Sequence, residues 1–203
     1  MTDNVIYVKE LDAPPIDRRE VLRYAGVSSE NAEIGRVLEE CIAAAKKSFS
    51  YKVCYRKFTV SECDGVLDLG FCRTVSDALS KSLLGCKQII LFAATVGFEI
   101  DRLIARSSVI SPAKAVLLQA LGTERVEALC DAFCNGVKAE AQRGGIVACP
   151  RVSAGYGDIP LAMQRDIFSA LDLTRKIGVT LSESLLMSPS KSVTAIIGLQ
   201  EKI

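Results

Sequence analysis

The run Ile89-Ile90-Leu91-Phe92-Ala93-Ala94 constrains this fold more than any other segment. It is the length of a strand, and an apolar strand without alternation must be covered on both faces. Residues 87–95 are therefore expected as a buried strand with other elements packed above and below. The run falls far short of the roughly 18 to 20 apolar residues that span a bilayer.

The rest of the chain supplies those layers. Residues 4–11 alternate with a β-branched bias and read as a first strand, ended by Pro14-Pro15. Asp17 caps a short helix, RREVLRYA, which Gly26 stops. Ser28 or Ser29 opens a longer helix through Lys47, with Ile34, Val37, Leu38, Cys41 and Ile42 on one stripe. Residues 51–60 form a strand, with 65–69 expected to pair with it. A helix follows over 74–84, and another after Gly97 carries Ile100, Leu103 and Ile104. Ser111-Pro112 starts a long helix reaching about Gln142, with Gly122 as its expected break. Residues 149–160, CPRVSAGYGDIP, form a loop. Asp158 is expected to cap a helix through Leu173 that places Met163, Ile167 and Leu171 on one face. Residues 178–182 and 192–199 alternate like the strands of a C-terminal β-hairpin. Helices interspersed irregularly among strands indicate an α+β fold, a mixed or antiparallel sheet with flanking helices, rather than a doubly wound sheet. The 203 residues suit one domain, with 1–50 a strand and helical appendage and 51–203 the core.

Charge and composition exclude several function classes. Lysine and arginine number 25 against 24 acidic residues, a net charge of +1. Nothing there points to nucleic acid or a membrane surface. The N-terminus, MTDNVIYVKELD, lacks a basic region followed by an apolar stretch, so a cytoplasmic location is expected. Histidine is absent, which removes Ser-His-Asp and Cys-His nucleophile systems. It also removes any histidine-ligated metal site. The eight cysteines show no C-x-x-C pair of the zinc or iron–sulfur kind. They are expected as buried, reduced thiols. A redox or iron–sulfur protein is the competing reading they permit.

Three pieces in order carry a resemblance: Arg151-Val152-Ser153-Ala154-Gly155-Tyr156, an R-x-x-x-G-Y; then Ile177 to Met187, IGVTLSESLLM; then Pro189 followed by Lys191-Ser192-Val193. At these separations they resemble the C-terminal activation domain of cobalamin-dependent methionine synthase. Val126 to Phe133 is similar to the helix that precedes the motif in that family, whereas the first sixty residues match hardly at all. The whole looks like a short stand-alone form of the domain.

The resemblance implies an S-adenosylmethionine-binding accessory subunit rather than an enzyme alone. Its role would be reductive remethylation of inactive cob(II)alamin in a methionine synthase encoded on a separate chain, which carries the cobalamin. A flavodoxin- or ferredoxin-type donor would supply the electron. Arg151 would hold the ligand's carboxylate, matching it with a planar fork of donors. Ala154, Gly155 and Tyr156 would form the turn around the ligand, with backbone groups of 152–155 available to it. Gly155 would adopt positive φ. Asp131 would meet the ligand's ammonium. Glu183 and Ser184 belong to the matching stretch, and Lys191 is expected to cap a turn. Ala154 departs from the family's proline before Gly-Tyr, and the family's following aromatic segment has no counterpart before Ile203. Two alternatives stay open. Arg151 could bridge carbonyls of its own loop, and the chain could be an interaction module that docks on a corrinoid methyltransferase without binding the ligand.

Overall fold

The computed structural model describes residues 5–201. β1 (Tyr7–Glu10) is followed by α1 (Arg18–Tyr24), α2 (Ala32–Ala45), β2 (Lys52–Thr59), β3 (Ser61–Cys63), β4 (Val66–Asp68) and β5 (Arg73–Thr74). Next come α3 (Asp77–Ser82), β6 (Cys86–Thr95), α4 (Glu99–Ile110), α5 (Pro112–Arg143) and β7 (Ile146–Ala148). A 3-10 turn (Leu161–Met163) leads into α6 (Gln164–Leu171), α7 (Leu173–Ile177), β8 (Thr180–Leu181), β9 (Met187–Ser188) and β10 (Ser192–Glu201). Asn4, the first residue of the expected N-terminal strand, lies outside the described residues.

The main sheet has the order β1-β2-β6-β10-β7, with antiparallel neighbours throughout. β6 lies between β2 and β10, and Ile89 through Ala94 are each at most 4% exposed. Its side chains alternate between two cores. Ile90, Phe92 and Ala94 join a core built with α1, α2, α4 and α5. Ile89, Leu91 and Ala93 join one built with α3, α6 and α7. The unbroken apolar run follows from this helix–sheet–helix layering, since neither face of the strand meets water.

Local signals set several boundaries. Asp17 caps α1 as expected, its carboxylate accepting from the N–H groups of Arg19 and Glu20. Met163, Ile167 and Leu171 are buried together in the second core, as their spacing requires. α5 is one continuous helix from Pro112 and does not break at Gly122. There the glycine gives Lys191 room to pass: a Cβ would stand 3.1 Å from two carbons of that side chain.

Other expectations are corrected. α2 starts later than Ser28 or Ser29, capped by Asn31, which accepts from Ile34 N–H. The segment 65–69 does not pair with β2; β4 lies in a separate sheet between β3 and β5. The strands 178–182 and 192–199 do not pair with each other either. β8 pairs with β9 in a short hairpin, and β10 runs into the main sheet against β6 and β7.

The N-terminal elements share the core rather than hang from it. β1 pairs with β2, and α1 and α2 pack on α5. A buried ion pair secures them. Arg125, 1% exposed, bonds to Glu124 and donates to the carbonyls of Pro14 (2.5 Å) and Pro15 (2.7 Å). Glu124 in turn accepts from Asp17 N–H at 3.0 Å. No helix among the described residues is long and apolar enough to cross a membrane.

Candidate functional site

The chain leaves β7 and keeps following β10. Cys149 N–H donates to Gly198 O at 2.8 Å, and Val152 exchanges both backbone bonds with Ile196, at 3.0 and 2.8 Å. Val152 packs against the α3–α6–α7 core, so by strand alternation Arg151 projects from the other face, toward α5. There its Nη2 donates to Glu127 Oε2 at 2.7 Å and to Asp131 Oδ1 at 3.1 Å. The two carboxylates are one helical turn apart and so share a flank.

The structure thus brings the expected Arg151 and Asp131 together and adds Glu127, which the sequence reading missed. The i, i+4 spacing of Glu127 and Asp131 was the available signal. Arg151 meets carboxylates and not carbonyls of its own loop, unlike the alternative considered above. Burial opposes its charge, but the hydrogen bond to Glu127 and the surrounding groups outweigh burial and hold the guanidinium above its usual range. The Arg151 side chain is 25% exposed and that of Asp131 66%, so the pair opens to solvent. Both carboxylates engage Nη2, and no hydrogen bond to Nη1 or Nε is formed among the described residues.

Cys130 and Cys134 lie beside this pair. Burial pushes the Cys134 thiol up to about 11 and Cys130 further still. Both stay protonated at neutral pH and offer no nucleophile. The expectation of uniformly buried cysteines holds for Cys41, Cys54 and Cys130, whereas Cys63 is exposed and the others are intermediate.

The turn beyond Arg151 turns away toward the second core. Gly155 has φ +88°, as expected, and a Cβ there would stand 3.1 Å from Leu161 Cδ1. Its N–H bonds Ile159 O at 2.9 Å, and Val152 is committed to Ile196. Of the backbone groups expected to be available, these are already used; Ala154 makes no backbone bond among the described residues. Tyr156 is 70% exposed, with no ring contact or hydrogen bond joining it to Arg151 among the described residues.

Asp158 does not cap the helix that follows it. Its carboxylate accepts from Ser76 Oγ (2.6 Å), Asp77 N (2.7 Å) and Ala78 N (3.1 Å), capping α3 instead. Lys191 caps no turn: it runs along α5 to Thr123 Oγ1 at 3.0 Å. Glu183 and Ser184 stay in the β8–β9 turn, where Glu183 O accepts from Arg165 at 3.1 Å.

Fold and site together define an α+β domain with a helix-sandwiched antiparallel sheet, carrying an arginine–dicarboxylate cluster between the sheet edge and its longest described helix. Among solved structures it is similar to the crystal structure of the MetH reactivation domain bound to AdoHcy. The TM-score is 0.72 at 16% sequence identity, over 96% of this chain and 78% of that one. The chain has the fold of that domain, as the motif resemblance implied. No family model and no curated protein matches the sequence.

Proposed function

We propose that this chain binds S-adenosylmethionine and serves as the methyl-donor subunit for reductive remethylation of cob(II)alamin in a cobalamin-dependent methionine synthase on a separate chain. The observation that carries the reading is the pairing of Arg151, the first residue of the R-x-x-x-G-Y segment, with Asp131 of α5. The solved structure of the same fold holds AdoHcy, the demethylated form of that donor.

The residues fit the amino-acid end of such a ligand. Arg151 Nη1 and Nε can receive its carboxylate, a charge-assisted pair. Asp131, the more exposed carboxylate, can release Nη2 and take the ammonium, while Glu127 keeps the guanidinium oriented. When bound, the ligand supplies a methyl group to reduced cobalt held by the partner. Arg151 does not line the cavities of about 620, 370 and 190 Å³ among the described residues. A site of this kind, open to solvent, suits a donor presented to a second protein, with water excluded only on docking. The electron would come from a flavodoxin- or ferredoxin-type protein.

Calorimetry tests the reading directly. Wild type is expected to bind S-adenosylmethionine and Arg151→Ala to bind it at least tenfold more weakly; equal affinity would remove the motif from the account. A second reading rests on the prior engagement of Arg151 by two carboxylates: a docking module for a corrinoid methyltransferase that no longer binds the ligand. It predicts capture of the corrinoid protein with no S-adenosylmethionine binding by either variant.

A further inference from the structure

A cavity of about 620 Å³ lies between α5 and the end of the sheet formed by β1, β2 and β6. It is on the opposite flank of α5 from Glu127 and Asp131, because it is lined by Ala132, Gly136 and Glu140. Its volume falls in the range of small-molecule sites. One wall is aromatic: Tyr7 stacks on Tyr55 with centroids 5.2 Å apart, and Phe133 meets Tyr55 at 5.2 Å. Lys9, Lys57 and Arg143 supply positive charge against the single carboxylate of Glu140. Lys57 and Arg143, like several other cations of the chain, have no carboxylate partner among the described residues, and Lys9 Nζ lies 5.3 Å from the centroid of the Tyr55 ring.

Gly136 is the independent sign. A glycine inside a helix is unfavourable relative to alanine and needs a local reason. Gly122, earlier in α5, has one, since Lys191 packs where its Cβ would stand. At Gly136 a Cβ would meet nothing within 4 Å. The chain's own packing does not require that glycine, whereas a ligand lying close against the helix would.

The geometry points to this cavity as a second binding site, for a planar aromatic anion of the nucleoside-phosphate class. The ring lies against the tyrosine wall and the α5 backbone at Gly136, and the phosphates reach Lys9, Lys57 and Arg143. This inference is independent of the function proposed above.

The experiment is calorimetric titration of the full chain with ATP, alongside tripolyphosphate, and with Gly136→Leu, Lys57→Ala/Arg143→Ala and Arg151→Ala. Gly136→Leu fills the cavity and favours the helix, so it should fold and melt higher than wild type. Binding of ATP is expected, with a tenfold or greater loss in Gly136→Leu and in the double variant and less than twofold change in Arg151→Ala. Three results overturn the proposal: no ATP binding at millimolar concentration, affinity within twofold of wild type in a folded Gly136→Leu, or tripolyphosphate binding as tightly as ATP.

Discussion

Arg151, Glu127 and Asp131 form a cluster with one positive and two negative charges, and the imbalance predicts a preference. S-adenosylmethionine carries a sulfonium, so its net charge is one unit more positive than that of S-adenosylhomocysteine. The cluster should favour the sulfonium form. Glu127→Gln removes the charge while keeping an acceptor for Arg151 Nη2, and should narrow the preference by about threefold to tenfold, roughly 1 kcal/mol for a partly exposed pair. Calorimetry with both ligands measures it; an unchanged ratio would place Glu127 outside the ligand's field. Arg151 and Asp131 were both expected near one ligand from the motif and helix resemblance, and the structure brings the two side chains together. Glu127 was not expected there, because a single acidic residue on a helix is usually a solvated one, and only the fold shows which flank faces Arg151.

At the scale of elements, signals that act within a few residues were legible and signals that act across the chain were not. Asp17 caps the helix beginning beside it, and the apolar run of β6 announces its own burial. Asp158 has the same chemistry as Asp17 and was read the same way, yet its partners at Ser76, Asp77 and Ala78 are some eighty residues away. No local preference could identify them. The hairpin expected from 178–182 and 192–199 failed for the same reason: β10 is apolar enough to be claimed by β6, and long-range pairing won. The Asp158 cap has a pH signature. The Ser76 hydroxyl first, then the backbone N–H groups, hold its carboxyl below the usual 3.8 against the opposing effect of burial. A carboxyl depressed on folding stabilises the protein above its unfolded value, and that contribution is lost as pH falls through the folded one. The melting-temperature gap between wild type and Asp158→Asn should therefore be full near pH 6 and shrink as pH falls below about 4. A gap independent of pH would show that the charge plays no part.

For the whole molecule, the decisive interaction is one no motif advertised. Arg125 and Glu124 are buried, and each satisfies backbone groups of the N-terminal segment as well as its partner. Arg125→Met leaves the buried Glu124 carboxylate without its counter-charge, held only by Asp17 N–H, and two proline carbonyls without their donor, and should cost about 3–5 kcal/mol in denaturant unfolding. A loss below about 1 kcal/mol would mean that the clasp is replaceable by packing. β1 completes the edge of the main sheet, and the clasp joins the segment that follows it to α5.

That clasp grips α5 within one turn of Glu127, on a helix that runs unbroken from Pro112 to Arg143. Opening the proline segment would strip partners from Glu124 and Arg125 and fray the turn that also carries Glu127 and Asp131. Amide hydrogens of the arm and of that stretch of helix should accordingly exchange with solvent at a common rate. A protease cut between Leu11 and Asp17 would then slacken the grip on Arg151 from across the helix.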